Sequence, residues 1–126
     1  MEKPRQGSKA RRRVAECKGR QAEDDVADLL RCQGYEVLAQ RLKTGAGEID
    51  LVVANSRVLV FVEVKARANF DDAAHALLPR QQARLLKAAD AVLALHEAWA
   101  RPTTRFDVAL VAQGDIKIIE NAIWLC

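Results

Sequence analysis

Gly47-Glu48-Ile49-Asp50-Leu51-Val52-Val53, a short turn, and then Val58-Leu59-Val60-Phe61-Val62-Glu63-Val64-Lys65 form the stretch on which this chain turns. Two apolar runs of strand length separated by a turn read as a β-hairpin. With Ser56-Arg57 as the turn, Asn55 faces Val58, Asp50 falls opposite Glu63, and Glu48 falls opposite Lys65. Residues opposite each other in an antiparallel pair share a face. A register slip of one residue would separate Asp50 from Glu63, whereas Glu63 and Lys65, two apart, share a face in any register. Val58, Val60, Val62 and Val64 fill the other face, and Leu59 and Phe61 make the strand a central one. A charge in such a strand is costly unless it is paired or binds a metal. A Glu-x-Lys on a strand is ordinarily a solvated ion pair. Combined with Asp50 on the neighbouring strand, it points to chemistry at one end of the hairpin.

The chain of 126 residues is half hydrophobic, which predicts one domain with a single core. Its net charge of +3 is unevenly spread. Residues 1–20 carry eight Lys and Arg against Glu2 and Glu16, a balance of +6 that leaves −3 for the remainder. Residues 1–17 read as a flexible basic arm and residues 18–126 as the folded domain. Arg11, Arg12, Arg13, Lys18 and Arg20 are the candidate contacts to a polyanion such as nucleic acid. No apolar run is long enough to span a bilayer and no secretory signal is evident, so no membrane partner is expected. Cys17, Cys32 and Cys126 show neither zinc spacing nor a disulfide framework, which favours a cytoplasmic location, with Cys32 packed as a small hydrophobe.

In chain order, residues 18–32 predict a helix with Ala22, Val26, Leu29, Leu30 and Gln33 at helical spacing, stopped by Gly34. Asp24, Asp25 and Asp28 lie outward. Glu23 precedes Val26, Ala27 and Leu30 by three, four and seven residues and so shares the apolar stripe, aimed at the sheet. Residues 35–41 predict a first strand and Lys43–Gly47 a small flexible connection. Residues 66–76 predict a loop containing Arg67 and His75. A second helix runs from Pro79 to about Trp99, with Leu78, Leu85, Leu86, Ala89, Val92 and Leu93 inward, Gln82 on the same stripe, and His96 as a packed histidine at its far end. Residues 105–111 and 116–120 predict two further strands around a Gln113-Gly114-Asp115 turn, with Asp107 structural and Trp124 covering the core edge.

With these segments in view the sequence resembles the YraN-like family of predicted endonucleases, related to archaeal Holliday-junction resolvases and to the PD-(D/E)xK nucleases. The matching segments are Gly19-Arg20-Gln21-Ala22-Glu23-Asp24, Gly47-Glu48-Ile49-Asp50-Leu51-Val52, Leu59 through Arg67, Pro79-Arg80-Gln81-Gln82 and Arg105-Phe106-Asp107-Val108. The resemblance implies a single-domain α/β fold, a restriction-endonuclease-like mixed β-sheet flanked by helices. It implies that Asp50, Glu63 and Lys65 match the nuclease signature and Glu23 the helical glutamate. The expected activity is Mg²⁺- or Mn²⁺-dependent hydrolysis of phosphodiester bonds, in DNA and in branched or repair intermediates. Glu23, Asp50, Glu63 and Lys65 would be catalytic and Asp50, Glu63 and Glu23 would bind the metal. Glu48, Arg67 and Gln82 would support the site or the substrate. The alternative is a nuclease-fold protein that binds nucleic acid without cutting it. Resolvases act as dimers, so a homodimer is a candidate assembly.

Overall fold

The computed structural model describes residues 19–76 and 79–122. The arm (1–17), Lys18, Leu78 and Trp124, to which the sequence assigned roles, lie outside the described residues. Helix α1 covers residues 19–32 and strands β1, β2 and β3 cover Glu36–Thr44, Gly47–Ala54 and Val58–Ala66. Helices α2 (Phe70–His75) and α3 (Pro79–Leu95) follow, then β4 (Thr103–Ala112) and β5 (Asp115–Ile119). The five strands form one sheet in the order β1-β2-β3-β4-β5. All neighbours are antiparallel except β3 and β4, whose parallel pairing requires a long crossover, here carrying α2 and α3. A mixed sheet flanked by helices is the predicted α/β architecture and is consistent with a restriction-endonuclease-like fold.

The central strands are apolar on both faces because both faces are covered. Leu59 and Phe61 of β3 pack with Val52 of β2 and Leu110 of β4 against Leu85, Ala89 and Val92 of α3. Val58, Val60 and Val62 pack with Leu51, Val53 and Ala109 against Val26, Ala27 and Leu30 of α1. Phe61 is fully buried and stacks on its parallel neighbour Phe106 with centroids 5.4 Å apart.

The hairpin register is the predicted one, with Leu51 opposite Val62, Val52 opposite Phe61 and Val53 opposite Val60. Asn55 holds the Ser56–Arg57 turn: its carbonyl side chain accepts from Arg57 and Val58 N–H at 2.9 Å. Helix α1 also ends as predicted. Gly34 adopts φ 95°, Gly34 N–H donates to Arg31 O, and Tyr35 N–H donates back to Leu30 O, both at 3.0 Å, which is a Schellman closure.

Other elements differ from expectation. Strand β1 runs on to Thr44, so the expected flexible connection is a tight turn at Gly45-Ala46, latched by Thr44 Oγ1 donating to Gly47 O at 2.6 Å. The segment expected as a loop contains α2, whose start is capped by Asn69 accepting from Asp72 N–H at 2.8 Å. Helix α3 stops at Leu95, and the chain tightens into a 3₁₀ turn over Glu97–Trp99. Arg101 satisfies the carbonyls freed there, donating to Trp99 O, and ties them to Asn55 O, each at 2.8 Å. His96 is therefore half-exposed, stacked on Trp99 at 3.9 Å, rather than packed in the core. Cys32 is exposed, because the Schellman turn puts that position at the open end of the helix.

Asp107 is structural, as expected. It is 1 % exposed, accepts both Nε and Nη2 of Arg105 at 2.9 Å, and accepts Asn121 N–H at 2.9 Å. Arg105 in turn donates to the Tyr35 hydroxyl at 3.0 Å, so this cluster links the chain after α1 to the segment after β5. Asp107→Ala strands the Arg105 charge and a backbone N–H, and should lower stability by about 3 kcal/mol in urea unfolding. Asp107→Asn, which keeps an acceptor, should lose less.

Candidate functional site

The site begins where the sheet forks. The β2–β3 ladder runs from Ala54–Leu59 to Leu51–Val62 and stops there. Beyond it β2 stays paired with β1 through Glu48 and Gly47, while β3 stays paired with β4 through Ala66. Asp50 and Glu63 are the first residues past the split. Asp50 Oδ2 accepts Val64 N–H at 2.8 Å, so its carboxylate serves as acceptor where the ladder has ended. On the other side, Arg41 of β1, between the Gln40–Leu51 and Leu42–Ile49 pairs, takes φ 50°. A positive φ at a non-glycine residue is uncommon and marks an imposed local geometry.

The fork opens into a cleft of about 970 Å³, lined by Gly19, Ala22, Glu23, Asp50, Glu63, Lys65 and Arg67 among others. Because the strand edge is exposed past Val62, both Glu63 and Val64 reach it. Helix α1 delivers Glu23 from one turn before its buried Val26 and Ala27, as the helical spacing predicts. The carboxyl oxygens of Glu23, Glu48 and Asp50 lie within 4.8 Å of one another. Glu63 lines the same cleft as Asp50, and its charge raises the Asp50 carboxyl.

Cations hold the outer members of this group. Lys65 Nζ lies 3.1 Å from Glu63 Oε1, with the two side chains only 14 % and 13 % exposed, so this is not a solvated surface pair. Arg41 Nη1 lies 2.6 Å from Glu23 Oε1, and its Nη2 lies 3.6 Å from Asp24. Asp50, in the middle, has no cation partner among the described residues. Burial, with the neighbouring Glu63 and Glu23 charges, pushes its carboxyl up to about 8, against the pull of the Val64 N–H.

The predicted residues are not all brought together. Glu23, Asp50, Glu63 and Lys65 converge. Glu48, expected across from Lys65, instead stands beside Lys43 of β1, because β2 has left β3 by that point. It contributes to the carboxylate group directly rather than from behind it. Arg67 is exposed at the cleft, donating to Ala66 O at 2.7 Å. Gln82 does not approach. It lines a separate cavity with Ala74, Leu110 and Asn121, on the face covered by α2 and α3. Helical spacing puts Gln82 on the inward stripe without saying which face of the sheet that stripe meets. Arg20 is exposed at the start of α1, and Arg11, Arg12, Arg13 and Lys18 lie outside the described residues. Arg41 carries no periodic signal in the sequence. Its proximity to Glu23 arises from packing between α1 and β1.

An all-carboxylate donor set suits hard divalent cations that take oxygen ligands. Four carboxylates against Arg41 and Lys65 leave two negative charges in excess when all are ionised, those of Glu48 and Asp50, of which Asp50 is the more buried. The residues present therefore fit Mg²⁺ or Mn²⁺.

Residues 22–111 match the model of a family described as "Uncharacterised protein family UPF0102". This chain belongs to the UPF0102 family. It is 52 % identical over 113 residues to a UPF0102 protein of Acidiphilium cryptum, covering 90 % of this chain and 88 % of that one. It is 51 % identical over 107 residues to one from Parvibaculum lavamentivorans, 85 % and 80 % of the two chains, and 52 % identical over 94 residues to one from Rhodopseudomonas palustris, 75 % and 72 %. The matched region carries Glu23, Glu48, Asp50, Glu63 and Lys65. No helix among the described residues is long and apolar enough to cross a membrane.

The raised Asp50 carboxyl has a consequence for stability. In the unfolded chain it titrates at its ordinary 3.8 and in the folded chain at about 8. Below pH 4 both states hold the proton. Between pH 4 and 8 only the unfolded state releases it, so stability falls with rising pH in that window. In EDTA, Asp50→Asn should match the wild type near pH 4 and exceed it by about 2–3 kcal/mol at pH 8, allowing for the partly exposed site. Mg²⁺ should raise the melting temperature of the wild type alone.

Proposed function

We propose that this protein is a metal-dependent nuclease that hydrolyses phosphodiester bonds, with DNA, including branched or repair intermediates, as its substrate. The observation that carries the reading is Asp50: a half-buried carboxylate at a sheet fork, ringed by three more and without a cation partner among the described residues. Such an arrangement is unfavourable unless a cation completes it. The Glu63-x-Lys65 pair and Glu23 around Asp50 support the resemblance to the PD-(D/E)xK nucleases.

In this reading Asp50, Glu63 and Glu23 hold Mg²⁺ or Mn²⁺, with Glu48 completing the oxygen set. A bound cation supplies Lewis acidity, drawing charge from the phosphoryl group and acidifying water. Asp50 stays fixed by the Val64 N–H, so its carboxylate is pre-oriented rather than recruited. Lys65 is held in the cleft by Glu63 at 3.1 Å. From there its ammonium can turn to orient the attacking water or to stabilise charge building on the phosphoryl oxygens. Arg41 neutralises Glu23 and limits repulsion within the carboxylate group. Arg67, at the rim, and the arm's Arg11, Arg12 and Arg13 supply phosphate affinity that carries no sequence information.

Purified protein with Mn²⁺ or Mg²⁺ should cleave branched or linear DNA. Asp50→Ala and Glu63→Ala should each lower the rate by at least about 10²-fold. Lys65→Ala should lower it comparably while leaving Mn²⁺ binding within a few-fold by titration, which separates its role from those of the ligands. Absence of cleavage by the wild type on every substrate, or full activity in Asp50→Ala, would sink this reading. Salt-sensitive DNA binding without cleavage would favour the non-cutting alternative.

A further inference from the structure

The solvent face of α3 carries a charge pattern that the cleft does not explain. Arg80, Arg84 and Lys87 follow one another at four and three residues, so they line up on one side of the helix, and all three are exposed. Asp90 is the one acid in Pro79–Leu95, and no acid lies in the first turn. Nothing about helix stability recommends this arrangement. Arg80 sits at the positive end of the helix dipole, where a cation is disfavoured. Like charges at these spacings repel. A solvated helix face built for stability would intersperse acids, yet among the described residues Arg80, Arg84 and Lys87 form no ion pair or side-chain hydrogen bond, and neither does exposed Lys43 on the facing hairpin.

The stripe also reaches the β1–β2 hairpin, next in sequence to the carboxylate group. Arg84 lies across the backbone of Gly47: a β-carbon there would come within 2.9 Å of Arg84 Cδ. Gly47 takes φ 140°, which suits glycine, and its lack of a side chain leaves room for the arginine stem. The next residue is Glu48, a member of the carboxylate group. Successive strand residues face opposite ways, so a nucleic-acid strand passing Arg84 on the α3 side rounds the β1–β2 tip to meet Glu48 and Asp50 beside α1.

We infer that Arg80, Arg84 and Lys87, with Lys43 on the β1–β2 hairpin, form a backbone-binding surface for a nucleic-acid duplex that leads one strand to the carboxylate cleft. The inference rests on the nuclease reading for its destination, but not for the binding itself. From Arg80 to Lys87 is about 10 Å along the helix axis, roughly three base-pair steps of a duplex. Single-strand platforms stack bases on aromatic side chains, and α3 has none. A row of unpaired cations on a convex helix suits the regular phosphates of a duplex.

The test is fluorescence anisotropy with a short blunt DNA duplex in EDTA, comparing the full-length wild type with the triple variant Arg80→Gln, Arg84→Gln, Lys87→Gln. The arm's cations are present in both proteins, so the difference isolates α3. The variant should bind about tenfold or more weakly, and the slope of log affinity against log salt should fall by about 2–3, near 0.9 for each phosphate no longer neutralised. Its melting temperature should be unchanged or raised, since repulsion is removed. An unchanged slope and affinity, or no duplex binding by the wild type, would overturn the inference. Equal weakening toward a single-stranded oligonucleotide would overturn the duplex assignment. Cleavage separates the two proposals: a wild type that binds duplex through α3 without cutting keeps the surface and loses the nuclease, whereas a cutting wild type whose binding ignores α3 does the reverse.

Discussion

The parting of β2 from β3 at Asp50 is the constraint on which the rest of this structure depends. A continuous ladder would set Asp50 and Glu63 flat against each other among buried neighbours, with no room for anything between or beside them. The fork removes the backbone partner of Val64, and Asp50 supplies an acceptor in its place. One carboxylate thus both ends the pairing and occupies the opening it creates. Glu63 and Glu23 are neutralised by Lys65 and Arg41, and the charge left over falls on Glu48 and Asp50, the latter the more buried.

Such a fork would be unstable in a thin sheet. Here it is held from both sides. Strand β2 beyond the split stays clamped to β1, and β3 stays clamped to β4 for its whole length. The apolar layers under α1 and α3 fix the strands up to the split, with Phe61 stacked on Phe106 near its base. Rigid strands meeting a polar opening is the arrangement that holds charged groups at fixed separations against their own repulsion. On the opposite face of the sheet, Arg84 of α3 lies over the bare backbone of Gly47, one residue before Glu48.

Much of this was legible in residue order. The alternation of Val58–Val64 and the Ser56–Arg57 turn set the register from Ala54–Leu59 to Leu51–Val62, one pair short of the expected Asp50–Glu63 pairing, where the ladder stops. The spacing of Glu23 before Val26, Ala27 and Leu30 aimed it at the sheet. Other features were not legible, for identifiable reasons. Glu48 does not stand opposite Lys65 because the ladder ends at Leu51–Val62, and nothing local announces where a ladder stops. Gln82 obeyed the same helical rule as Glu23, yet α3 packs on the other face. His96 was read as core because periodicity does not reveal where the last turn tightens to 3₁₀. The short α2 depends on the Asn69 cap, a signal easily lost among Asp71, Asp72 and the polar residues around it.

The sequence by itself determined the hairpin, its parity, the α1 stripe and the presence of acids where apolar residues would be more stable. These follow from periods of two and 3.6, which are properties of the backbone and need no partner. Only the tertiary structure decided that the sheet forks, that Arg41 takes φ 50° and pairs with Glu23, that Asp50 has no cation partner among the described residues, and that Arg84 lies over Gly47. Each of those depends on elements distant in the chain meeting in space, and no local pattern encodes which side of a shared sheet they will occupy.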